Sequence, residues 1–141
     1  MRAMAGYSGT PLPKKLGIKV NFRVAMHRLP RDVGAELKQP LSECTVLRQP
    51  ATPLDFVMLF TKGRAELIEQ LPIYSKHLAP AGTLWVSWPK KSSGVACDMN
   101  ENDVRAIGLA AGLVDVKVCA VNDVWSGLKF VIPVKDRKRS S

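Results

Sequence analysis

What this chain lacks narrows its chemistry before any motif is considered. Its three cysteines, Cys44, Cys97 and Cys119, cannot all pair with one another, and none stands in a Cys-x-x-Cys spacing. That argues against a disulfide framework and against zinc or thioredoxin-like chemistry. They read as reduced thiols, Cys44 and Cys119 packing as small apolar residues of strands, while Cys97 precedes a helix whose macrodipole would lower a thiol pKa. No apolar run approaches the roughly 20 residues that cross a bilayer. Residues 1–10 hold one Arg and no apolar stretch, so no secretory signal is expected there, and the expectation is a cytoplasmic protein without a membrane partner. No Gly-x-x-x-x-Gly-Lys-Ser/Thr spacing occurs, and the few loop carboxylates form no acid/base pair.

What is present suits one globular domain. The chain has 141 residues, 46% of them hydrophobic, enough for a single buried core. Its net charge of +9 belongs mostly to its ends. Residues 1–31 hold seven basic residues and no acidic one, and residues 135–141 hold four basic residues against Asp136. The stretch between them has ten basic and eleven acidic residues and is close to neutral. The division is therefore a basic arm over 1–21, one domain over 22–134 and a basic tail over 135–141, with weak, salt-sensitive attraction to polyanions expected of the ends.

Residues 22–26 read as a first strand and 44–47 as a second. Residues 31–39 read as a helix ended by Pro40. The continuous apolar run Leu-Asp-Phe-Val-Met-Leu-Phe at 54–60 suits a strand buried on both faces. Leu67, Leu71, Tyr74 and Leu78 share one helical face over 64–78, where Pro72 marks either a kink or the start of a second helical piece. Residues 83–88 form a fourth strand. Asp98 and Glu101 stand at capping-box spacing before Val104, Ile107, Gly108 and Ala111, with Gly112 as terminator. Strands at 115–121 and 128–134, separated by a turn around Trp125-Ser126-Gly127, pair antiparallel. Strands alternating with helices and a closing hairpin predict a three-layer, mostly parallel α/β sandwich.

Three segments in order resemble the markers of a small bacterial family of unknown function: Gly-Tyr-Ser-Gly-Thr-Pro-Leu-Pro-Lys-Lys-Leu-Gly-Ile-Lys at 6–19, Trp-Pro-Lys-Lys-Ser-Ser-Gly-Val at 88–95, and 112–121 together with Trp-Ser-Gly-Leu-Lys-Phe at 125–130. More distantly, the run from Leu78 through Ala-Pro-Ala-Gly-Thr-Leu-Trp-Val-Ser-Trp-Pro to Val118 resembles the C-terminal half of class I S-adenosylmethionine methyltransferases. The resemblance implies a bacterial origin and a methyltransferase-like, Rossmann-like fold, with no established catalytic residues to carry over. Deleting one edge unit of that pattern predicts six strands in the order 2-1-3-4-6-5, the last in sequence antiparallel to its neighbours.

The departures from the methyltransferase pattern bear on activity. Where such enzymes place a Gly-x-Gly loop after the first strand, this chain has His27-Arg28-Leu29-Pro30, and where they hold the cofactor's ribose with an acidic residue it has Arg48-Gln49-Pro50. Thr61-Lys62-Gly63-Arg64 follows the third strand in place of an Asn/Asp-Pro-Pro-aromatic signature. The reading is therefore a non-catalytic or regulatory binding module with no cofactor, no metal and no catalytic residue. The alternatives are a residual methyltransferase with an atypical cofactor loop and a weak nucleic-acid binder working through the basic termini.

A parallel sheet brings the C-terminal ends of its strands to one edge, so Arg28, Lys62, Arg64, Lys90 and Lys91 are expected to converge there, with Ser92, Ser93 and Gly94 supplying hydroxyls and backbone approach. That edge would take an anionic, phosphate-bearing small molecule or a protein partner; the competing reading is a solvated basic loop. Trp88 and Trp125 are either core residues or stacking surfaces beside that loop. His27 ends a central strand and reads as a general base or as a structural residue; His77 reads as a partner of helix-terminal carbonyls.

Overall fold

The computed structural model describes residues 9–137. It runs α1 (Leu12–Leu16), β1 (Arg23–His27), α2 (Arg31–Ser42), β2 (Thr45–Leu47), β3 (Leu54–Phe60), α3 (Arg64–Ser75), β4 (Leu78–Pro89), α4 (Glu101–Ala110), β5 (Val114–Ala120) and β6 (Trp125–Val131), with 3-10 turns at Lys91–Ser93 and Val134–Asp136. The first eight residues of the expected arm and the last four of the expected tail lie outside the described residues.

The strands form one sheet in the order β2-β1-β3-β4-β6-β5. β1 is parallel to β2 and β3, and β3 to β4; β6 is antiparallel to both β4 and β5. This is the order expected from the sequence, a Rossmann-like α/β sheet of methyltransferase type. Alternation along β3 divides its side chains between two cores. Phe56, Met58 and Phe60 pack with Leu12, Leu16, Val33, Leu37 and Trp85 under α1 and α2. Leu54, Val57 and Leu59 pack with Leu67, Leu71, Val104 and Phe130 under α3 and α4. Each such fully buried side chain contributes about 1.5–3 kcal/mol, so the central strand is the spine of both layers.

Several local expectations are corrected. The stretch read as an arm without periodicity contains a helix: Leu12 and Leu16 are buried, and the Trp85 indole Nε1–H donates to the Leu16 carbonyl at 3.0 Å. Pro40 sits inside α2 and not beyond it; in the last turn it removes one helical hydrogen bond without preventing two more residues from following. Pro72 likewise lies within a single α3, which stops at Ser75, so Leu78 opens β4 and does not extend the helical face. The α4 cap is Asn100 with Asp103: the Asn100 side chain accepts from the Asp103 N–H and the Asp103 carboxylate from the Asn100 N–H, both at 2.9 Å. The hairpin turn comes earlier than expected, because Asn122 Oδ1 accepts from the N–H groups of Val124 and Trp125, both at 2.9 Å. Trp125 therefore begins β6.

One glycine is required by packing. A Cβ on Gly108 of α4 would lie 2.1 Å from the Phe130 ring on β6, so its absence lets the helix sit directly on the sheet.

Candidate functional site

Between β1 and β3 the chain reverses its direction of travel across the sheet, which makes the crevice beyond their C-terminal ends the place where open α/β sheets bind ligands. Three side chains meet there. Glu66, in the first turn of α3, receives His27 Nε2 and Arg28 Nε on the same carboxylate oxygen, each at 2.8 Å. The His27 ring also meets the Tyr74 ring edgewise, with centroids 6.1 Å apart. His27 is thus a partner of Glu66. His77, placed by the sequence reading against helix-terminal carbonyls, instead shares a 2.7 Å hydrogen bond from Nδ1 with the Thr52 hydroxyl.

Whether this crevice suits S-adenosylmethionine, the cofactor that the resemblance to methyltransferases implies, is decided by its residues. Arg28 holds φ +55°, the left-handed conformation that favours glycine, so the backbone keeps a glycine-like bend while a guanidinium projects from it to Glu66. Pro30 occupies the α2 N-cap without a capping side chain. The carboxylate of Asp32 takes up the start of α2, accepting from the Val33 N–H at 3.0 Å and from Asn122 Nδ2 at 3.2 Å. Past β2 stands Arg48, exposed, where a carboxylate would hold ribose hydroxyls. These residues do not fit the cofactor.

The expected convergence of cations is divided by carboxylates. Arg28 goes to Glu66, and Arg64 Nη2 goes to Asp103 at 2.7 Å. The Arg64 N–H donates to Asp98 Oδ1 at 2.8 Å, so Asp98, which the sequence reading assigned to α4, caps α3 from across the edge. Lys62 is exposed, and no ion pair within 4.0 Å is recorded for it among the described residues.

What the structure does bring together is a cleft of about 650 Å³ beyond β4, whose lining includes Trp88, Lys90, Lys91 and Gly94 from the end of β4 and the loop after it, and Asp98, Asn100, Glu101 and Asp103 from the start of α4. Ser126 of β6 also borders it. Ser92 and Ser93 belong to the loop but not to the lining. The Ser93 hydroxyl donates to the Lys90 carbonyl at 2.6 Å and accepts from the Val95 N–H at 3.1 Å, holding the loop's shape. Gly94 takes φ +80°, the turn that only glycine adopts without strain. Trp88 is buried in the core under α3 and α4 while lending its edge to the cleft. Trp125 is buried in the other core, edge-on to Phe60 with centroids 5.1 Å apart.

Cys97 lines the same cleft, and the expectation of a lowered pKa is reversed there. Burial pushes its thiol up; a backbone hydrogen bond at Met99 works the other way, and the charges of Asp98 and Asp103 raise it further. Two of the N–H groups at this helix start, those of Asn100 and Asp103, are taken by the capping box. The sequence reading missed Glu66, Asp98 and Asp103 as site residues, although their placement in or before the first turns of α3 and α4 was the available signal.

No family model matches this chain, and no curated protein matches it. Among solved structures it is similar to a SAM-dependent methyltransferase from Aquifex aeolicus, with 14% identity and a TM-score of 0.59 over 83% of this chain and 85% of that one. It is also similar to magnesium protoporphyrin IX methyltransferase (ChlM) from Synechocystis PCC 6803 with bound SAH, with 12% identity and a TM-score of 0.55 over 86% and 78% of the two chains. A third is LepI in complex with SAM, with 14% identity and a TM-score of 0.55 over 94% of this chain, which spans about half (49%) of that protein. At these identities the shared property is the methyltransferase-like fold.

Proposed function

We propose that this chain is a binding module built on the methyltransferase-like fold, and that its ligand occupies the cleft between the end of β4 and the N-terminal turn of α4. The observation that carries this reading is a cleft of about 650 Å³ whose lining brings Lys90 and Lys91 together with Asp98, Glu101 and Asp103. Such a mixed lining suits a small polar molecule that carries both an anionic group, such as a phosphate, and hydrogen-bond donors. Calorimetric titration of phosphate-bearing metabolites against the wild type and Lys90→Ala/Lys91→Ala tests it. Affinity indifferent to the double substitution overturns the reading.

The solved structures speak more directly for a second reading, S-adenosylmethionine-dependent methyl transfer through an atypical cofactor loop, because the similar proteins include methyltransferases and one of the matched structures holds SAH. Against it stand Arg28, its bond to Glu66, and Arg48. The same calorimeter decides between them. On the first reading neither S-adenosylmethionine nor S-adenosylhomocysteine binds tighter than about 1 mM, roughly 4 kcal/mol; micromolar binding abolished by substitutions around Arg28 establishes the second.

A further inference from the structure

On the α1 side of the sheet, away from the cleft, two lysines stand directly opposite each other. Lys117 of β5 and Lys129 of β6 are register partners in the antiparallel hairpin. Alternation places Lys129 on the face opposite Leu128 and Phe130, which belong to the core under α3 and α4. Cys119, two residues along β5 from Lys117, packs into the α1-side core. Directly opposed residues have Cβ atoms about 4.5–5.5 Å apart, and like charges in that position are destabilising.

Further ammonium groups come to the same face. Lys15 of α1 donates from Nζ to the Ala120 carbonyl at 2.9 Å, and both Lys15 and Lys117 act on the Cys119 thiol, lowering it against the larger upward push of burial. Burial lowers the Lys129 ammonium from its ordinary value, with the charges of Lys117 and Lys19 adding to the effect. No ion pair within 4.0 Å is recorded for Lys19, Lys117 or Lys129 among the described residues, and the remaining residues of the chain contain no Asp or Glu. A lysine on an edge strand commonly guards that edge against pairing, which accounts for Lys117. It does not account for Lys129, which lies on β6 between β4 and β5.

We infer that Lys117 and Lys129, with Lys19 and Lys15 beside them, form a second anion site that takes the phosphate groups of a compact polyphosphate-bearing molecule on the α1-side face of the β5–β6 hairpin. An anion between two opposed ammonium groups converts their repulsion into two charge-assisted hydrogen bonds. The site is independent of the cleft at Lys90 and Lys91.

The test titrates inorganic tripolyphosphate into the full chain by calorimetry, alongside Lys117→Gln/Lys129→Gln and Lys90→Ala/Lys91→Ala variants, with thermal unfolding of each. The expected result is a loss of at least about tenfold in affinity for the hairpin variant, as fits removal of charged hydrogen-bond donors. The ligand-free hairpin variant should unfold at the same temperature as the wild type or higher, because repulsion has been removed. A short single-stranded oligonucleotide as second probe identifies the phosphate source: weakening of its binding by the same variant supports the site with a nucleic-acid backbone as donor. Wild-type binding absent at millimolar tripolyphosphate, or binding lost only in the Lys90/Lys91 variant, overturns the inference. So does a hairpin variant that unfolds earlier than the wild type, since the lysines would then be structural.

Discussion

The indole of Trp85 and the carbonyl of Leu16, 69 residues apart in the chain, are joined by a buried 3.0 Å hydrogen bond. Trp85 has no exposed surface, nor does Leu16. The bond satisfies the one polar atom of the largest fully buried side chain, and it fixes a five-residue helix to the middle of β4.

That contact distinguishes a packed helix from a solvated arm. Leu16→Ala is expected to cost about 2–5 kcal/mol, as for other buried leucines, whereas a surface position would change by about 0.5 kcal/mol or less. Urea denaturation followed by circular dichroism measures the difference, and a midpoint equal to the wild type would show α1 to be dispensable.

A second prediction concerns the closeness of α4 to the sheet. Gly108→Ala places a methyl within 2.1 Å of the Phe130 ring, so the helix must lift or the ring must move, at about 1–3 kcal/mol. Adding Phe130→Leu should recover part of the loss. A Gly108→Ala protein more stable than wild type, as helix propensity alone would have it, would contradict the packing.

Arg105 lies between two carboxylates, with Nη2 on Glu101 at 2.6 Å and Nε on Asp115 at 2.9 Å. The hydrogen bond from Arg105 holds the Asp115 carboxyl below its ordinary value, against a smaller opposing effect of desolvation. A carboxyl depressed in the folded state stabilises the fold fully above its unfolded pKa of about 4, and that contribution is lost as pH falls through the lower folded value. Arg105→Gln should therefore lower the urea midpoint at neutral pH and lose its effect in acid. Midpoints measured across the acid range check this, and a constant difference would assign the effect of Arg105 to packing and not to charge.

The cleft and the basic termini can be removed separately as sources of anion affinity. If the cleft binds phosphate, Lys90→Ala/Lys91→Ala should weaken it by at least about 1 kcal/mol, and deletion of residues 135–141 should matter little. If the chain binds nucleic acid through its ends, the deletion should remove most of the affinity and flatten its salt dependence. Salt-titrated binding of both variants separates the outcomes.

The strand order was legible through the resemblance to the methyltransferase pattern, whereas local residue type showed only that β3, apolar on both faces, is a buried central strand. The five residues of α1 were not, since two leucines four apart between prolines and lysines make no periodic signal; their helix is stabilised by Trp85 and the core beneath it. The hairpin turn was misplaced because Gly127 resembles a turn residue, whereas its lack of a side chain instead leaves space for the Trp85 ring 3.1 Å from where a Cβ would sit. At the site, charge type was readable and pairing was not. Glu66 lies 39 residues from His27, and Asp103 lies 39 from Arg64, distances over which only the folded sheet decides which cation meets which carboxylate.

The attachment of α1 also sets an order of assembly. Lys15 bonds to the Ala120 carbonyl, 105 residues away, and Leu16 bonds to a strand that pairs with β6. During synthesis from the N-terminus, α1 emerges before the strands it bonds to and has no complete surface to dock on until the hairpin has followed. Such long loop closure generally follows the pairing of nearer elements, so α1 is expected to close the α1-side core late. Contacts formed that late act mainly on the rate of unfolding, so loosening α1 is expected to shorten the lifetime of the folded sheet more than it slows folding.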